Sequence, residues 1–101
     1  MIQVSYHTTD DRYDSLSVSG HADFGEYGRD LICAAVSSII FGFMNALDET
    51  GEDLEISQEE NKITIIDHSG SDRIQDYFSL VIVQLKTIEE SYGQYITIER
   101  K

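Results

Sequence analysis

The chain carries one cysteine, Cys33, and a histidine twelve positions before it, His21. His21 lies between Gly20 and Ala22 at the end of a strand-like stretch. Cys33 sits near the start of an apolar helical run, Asp30-Leu31-Ile32-Cys33-Ala34-Ala35-Val36-Ser37. A thiolate with a histidine to take its proton and return it to a leaving amine is the equipment of covalent acyl transfer. If Asp30 is the helix N-cap, Cys33 is the third helical residue, and its sulfur falls among the unpaired N–H groups and positive dipole that favour a thiolate. The same N–H groups could cradle an oxyanion.

Each residue also has a quieter reading. Cys33 can be a small buried hydrophobe, or a redox thiol lacking a resolving partner. His21 can cap a strand end by hydrogen bonding. Asp30 can cap the helix, orient His21, or do both; its charge near the sulfur opposes thiolate formation, so any activating role has to run through histidine. Ser37, one turn beyond Cys33, is a supporting hydrogen-bonding group rather than a nucleophile. The segment Ala22-Asp23-Phe24-Gly25-Glu26-Tyr27-Gly28-Arg29 reads as a glycine-containing loop that could close over a bound peptide, with Phe24 and Tyr27 at its tip, or as an ordinary surface loop. His21, Asp23, Asp30 and Cys33 are close in sequence but show no metal-ligand framework; His7 and His68 are remote, and no phosphate loop is present. The expectation is no metal and no cofactor.

The block Gly20, His21, Ala22, Gly28, Asp30, Cys33, Ala34 and Ser37 resembles the signature of the Prp-type ribosomal-processing cysteine protease family of certain bacteria. The order of elements fits that family along nearly the whole chain. The resemblance implies a protease that removes the N-terminal extension of large-subunit ribosomal protein twenty-seven, with Cys33 as nucleophile and His21 as general base and acid. The alternative from the residues is a non-catalytic dimeric module that binds a basic ribosomal protein, in which Cys33 is inert packing.

The elements that must position these residues follow from periodicity. Ile2, Val4 and Tyr6 alternate with polar residues, as do Leu16 and Val18, predicting a hairpin joined at Thr9 to Tyr13. From Leu31 to roughly Asp48 the chain is apolar nearly all round, predicting a helix buried on more than one side and ended near Gly51. Leu54 and Ile56, then Ile63, Ile65 and Ile66, flank Gln58-Glu59-Glu60-Asn61 as a second hairpin. Ile74, Tyr77, Phe78, Val81, Leu85 and Ile88 recur at helical spacing between Ser69-Gly70-Ser71 and Gly93, and Tyr95 to Ile98 form a last strand. The fold expected is α+β in the order ββαββαβ, a mostly antiparallel sheet with two helices packed on one side. All of residues 1–101 belong to a single domain.

Seven basic against nineteen acidic residues give a formal charge of −12. That excludes the basic surface needed for direct nucleic-acid binding, and serves either solubility or attraction of a basic polypeptide. One cysteine and no leader segment point to a reducing cytoplasm. The longest apolar run, Leu31 to Met44, is too short to span a bilayer. An over-apolar first helix in so small a domain predicts a homodimer through it.

Overall fold

The structure, a computed structural model, describes residues 1–20 and 27–101, the side chains of residues 27–30 excepted. Strands β1 (Ile2–Thr9) and β2 (Arg12–Ser19) form the first hairpin. Its two turn residues, Asp10 and Asp11, have φ of 52° and 62°. A two-residue turn with both φ values positive matches the twist of the flanking strands, and aspartate is among the few residues that tolerate it. The register shifts between His7 and Thr8: His7 pairs with Ser15 and Thr8 with Tyr13, which leaves Asp14 as the extra residue of a bulge. Its carboxylate meets His7 Nδ1 at 2.8 Å and accepts the Thr9 hydroxyl at 2.6 Å.

Helix α1 (Tyr27–Thr50) follows, then β3 (Leu54–Glu59), β4 (Lys62–Asp67), helix α2 (Asp72–Tyr92) and β5 (Ile96–Arg100). The expected order ββαββαβ is the observed one. The five strands lie in the order β3-β4-β2-β1-β5; only β5 runs parallel to its neighbour, the other pairings being antiparallel. Alternation sorts the sheet into two faces. Ile2, Val4, Leu16, Val18, Ile63, Ile65 and Ile96 are buried on one, and both helices contribute to the same core. Gln3, Ser5, Ser17, Ser19, Thr97 and Glu99 line the other, a shallow polar trough of about 300 Å³.

Helix α2 starts on Ser71, whose hydroxyl accepts from the Ile74 N–H at 3.5 Å, and turns Ile74, Phe78, Val81, Ile82 and Leu85 inward. Phe78 meets Phe43 of α1 edge-on at 5.2 Å and stacks on Tyr13 of β2 at 6.0 Å, so one ring ties both helices to the sheet. Helix α1 buries Ile32, Cys33, Val36, Ile40, Phe43 and Leu47. Its burial is a stripe along one side, while Leu31 and Phe41 remain 56% and 44% exposed.

This helix corrects the reading of run length. It continues past Met44 through Asn45 to Thr50, and Leu31–Thr50, with mean hydropathy 1.8, is long and apolar enough to cross a membrane by length and composition alone. Its packing here is that of a core helix, the buried stripe lying against the apolar sheet face and α2.

Candidate active site

Cys33 lies on α1 and is 5% exposed, packed into the core that includes Ile32, Val36 and Val18. Val18 near the end of β2, Ile63 of β4, and Val36, Ser37, Ile40 and Phe41 of α1 line a cavity of about 20 Å³. Successive turns of α1 from Cys33 onward therefore rest where β2 and β4 lie side by side. Ser37, one turn beyond Cys33, lines that cavity.

The start of α1 differs from the sequence reading. The helix begins at Tyr27, so Asp30 is its fourth residue rather than its N-cap, and Cys33 is its seventh rather than its third. No proline separates Tyr27 from Leu31. A helical glycine at position 28 costs only about 1 kcal/mol against alanine, an amount the packing of a long helix offsets. The consequence is chemical. The N–H groups left unpaired by the helix start are those of residues 27–30, and the dipole's influence fades within the first turn. Cys33 in the second turn has no first-turn stabilisation of its thiolate, and the oxyanion cradle derived from that placement falls with it.

Of the loop read as Ala22 to Arg29, Tyr27, Gly28 and Arg29 are the first turn of α1. His21, Ala22, Asp23, Phe24, Gly25 and Glu26 lie outside the described residues, as do the side chains of Tyr27, Arg29 and Asp30. The described residue next to His21 is Gly20. Its φ is +83°, and its N–H donates to the Asn61 carbonyl at 3.2 Å. A Cβ built on it would press into the Met1 carbonyl oxygen, well inside 3.0 Å. Neither partner of this glycine is legible in the sequence. Both are backbone carbonyls, for which side-chain types carry no signal.

A buried thiol on the helix that packs on the apolar sheet face, with a serine one turn on, is compatible with a thiol protease. Comparison with known proteins agrees. Residues 1–97 match the family described as cysteine protease Prp. The chain is 35% identical to the ribosomal processing cysteine protease Prp of Staphylococcus aureus, over all of both chains. Two crystal structures of the S. aureus protease superpose over the full length of both chains. The complex with a substrate peptide has a TM-score of 0.92 and 31% identity. The complex with a covalently linked product peptide has a TM-score of 0.89 and 32% identity. The chain thus belongs to the cysteine protease Prp family.

Proposed function

We propose that this chain is a cytoplasmic endopeptidase that removes the N-terminal extension of large-subunit ribosomal protein twenty-seven, a step in ribosome maturation, with Cys33 as nucleophile and His21 as general base and acid. One observation carries the assignment: a cysteine protease needs a thiol, and Cys33 is the only one in a chain that matches a peptide-binding protease end to end.

In the acylation step His21 takes the Cys33 proton, the sulfur attacks the scissile carbonyl, and the imidazolium then gives its proton to the departing amine. Water, deprotonated by the same imidazole, cleaves the thioester and releases the new carboxylate. His21 follows Val18 by three residues, and Val18 shares the apolar core with the Cys33 helix. Asp30 and Ser37 act as supporting groups, and residues 22–29, from Ala22 to the Arg29 turn of α1, contact the peptide. The substrate's basic character suits a partner of formal charge −12, and the same charge disfavours direct contact with nucleic acid. The working unit is a homodimer formed through α1. Neither metal nor cofactor enters this chemistry.

The test is cleavage of the extended ribosomal protein by the parent, Cys33→Ala and His21→Ala proteins, read by mass spectrometry. The expected result is loss of one defined N-terminal segment with the parent only. Intact protein that co-purifies with all three would sink the assignment of this substrate and of both residues.

A further inference from the structure

We propose that the free edge of β3 seats an extended, basic segment of the substrate polypeptide, which joins the sheet as a further strand; the choice of a basic occupant rests on the reading of this chain as a protease of a ribosomal protein. β3 lies at one end of the sheet, with β4 on one side only. In an antiparallel pair the backbone groups of alternate residues point toward the partner and away from it. The Asp53 carbonyl accepts the His68 N–H at 3.0 Å, and Glu59 opposite Lys62 closes the hairpin, so Glu55, Ser57 and Glu59 turn their backbone groups to β4. Leu54, Ile56 and Gln58 turn theirs outward, and among the described residues these N–H and C=O groups have no partner.

The side chains along this edge select the occupant. Ile56 is paired with Ile65 on the helix-bearing face, yet it is 40% exposed where Ile65 is fully buried. Glu55 and Glu59 point to the opposite face, Glu55 meeting His68 Nε2 at 3.3 Å and Glu59 standing across from Lys62. Residues 51–61 carry five carboxylates and no basic side chain. A second copy added here would bring its own Glu55 and Glu59 to the same face, like charge against like charge. A segment with lysine or arginine at alternate positions sets those charges against Glu55 and Glu59, and the apolar residues between them cover Ile56. Its main chain bonds to the outward groups of Leu54, Ile56 and Gln58, so the backbone supplies affinity and the alternation supplies specificity. The position suits a protease. Glu59 pairs with Lys62 and Lys62 with Ser19, beside the Val18 and Ile63 that face Val36 and Ser37, so β3 runs toward the end of the sheet where the first turns of α1 and Cys33 lie.

The experiment uses the full chain with Cys33→Ala and two synthetic peptides, one alternating lysine with valine and one alternating glutamate with valine. Binding is followed by fluorescence anisotropy and by amide hydrogen exchange along β3. The lysine peptide should slow exchange at the outward Ile56 and Gln58 N–H groups, and the glutamate peptide should not. Ile56→Pro removes one outward donor without touching a bond to β4, a substitution that a sheet edge accommodates, and should weaken binding of the lysine peptide about tenfold or more. If Ile56→Pro does not fold, the doubly substituted Glu55→Lys, Glu59→Lys protein gives the second reading: its preference between the two peptides should be lost or reversed. Unchanged exchange at Ile56 and Gln58 with the lysine peptide overturns the inference. So does protection of these two amides in the free protein that grows with its own concentration, the result of edge pairing between copies.

On the extended ribosomal protein, with Cys33 restored, the same edge variants should raise KM about tenfold and leave kcat at the parent's value, the mark of lost binding that the substrate and the transition state share. A parental KM overturns the docking of substrate at this edge. Failure of the parent to cut that protein would instead overturn the proposed function, a result distinct from the peptide readout, which needs no cleavage.

Discussion

Asp14, the extra residue of the first hairpin's bulge, shows how a single side chain couples local geometry to pH. Burial on its own would raise its pKa. Hydrogen bonds from Thr9 and His7, the charge of His7 and a bond from Ser15 together outweigh this and hold the carboxyl below the ordinary value of 3.8. A carboxyl with a depressed folded-state pKa contributes stability above its unfolded value, and that contribution is lost as pH falls through the folded one. Asp14→Asn should therefore unfold at lower urea than the parent at pH 6, with the gap closing below about pH 4. The site is open to water and the effect correspondingly small. A gap that stays constant down to pH 2 would show that the carboxylate's charge is not what matters. At this scale the sequence was most legible where side-chain type carries the signal, as in the block around Cys33 that marks the family. It was mute about Asn61 and Met1, whose backbone oxygens lie against Gly20.

Among the elements, Gln75 does the most with one side chain. Its Oε1 accepts from the Tyr13 N–H and its Nε2 donates to the Tyr13 carbonyl, both at 2.7 Å. It thus behaves as a strand partner for one residue and fixes α2 across the hairpin. Gln75→Leu leaves both half-buried backbone groups unsatisfied and should cost about 1–3 kcal/mol by urea unfolding. A loss under a few tenths would mean water replaces the amide at no penalty. The strands and α2 could be read from alternation and from Ser71, because both signals are local. The start of α1 could not. Asp30 has the composition of a cap, and aspartate is also tolerated inside a first turn; nothing between Tyr27 and Leu31 distinguishes the two. The parallel pairing of β5 with β1 was equally hidden, since an apolar strand looks the same in either direction.

For the molecule as a whole, the residual question is what covers the outward side of α1. Leu31 and Phe41 stand exposed there, while the polar face of the sheet needs no cover. The proposed homodimer predicts that the parent sediments as a dimer at micromolar concentration and that Leu31→Glu with Phe41→Glu sediments as a monomer with an unchanged circular dichroism spectrum. A parent that is already a monomer rules that dimer out.

The two edges of the sheet are treated differently. The outer side of β5 is closed by Glu89, whose carboxylate accepts the Ile98 N–H at 2.9 Å, whereas β3 carries Glu55 and Glu59 on an uncovered edge, the kind of charge that discourages pairing with another sheet.

The parallel pair also sets a schedule. Ile2 is partnered by Ile96, and the Met1 carbonyl beside Gly20 is anchored through Tyr95. On a ribosome making this chain, β1, β2 and the thiol helix all emerge long before the segment that locks them together. The β1–β5 pairing and the anchor on the Met1 carbonyl can form only once synthesis has passed residue 96. The first hairpin and the thiol helix therefore wait for the last strand before the sheet is complete.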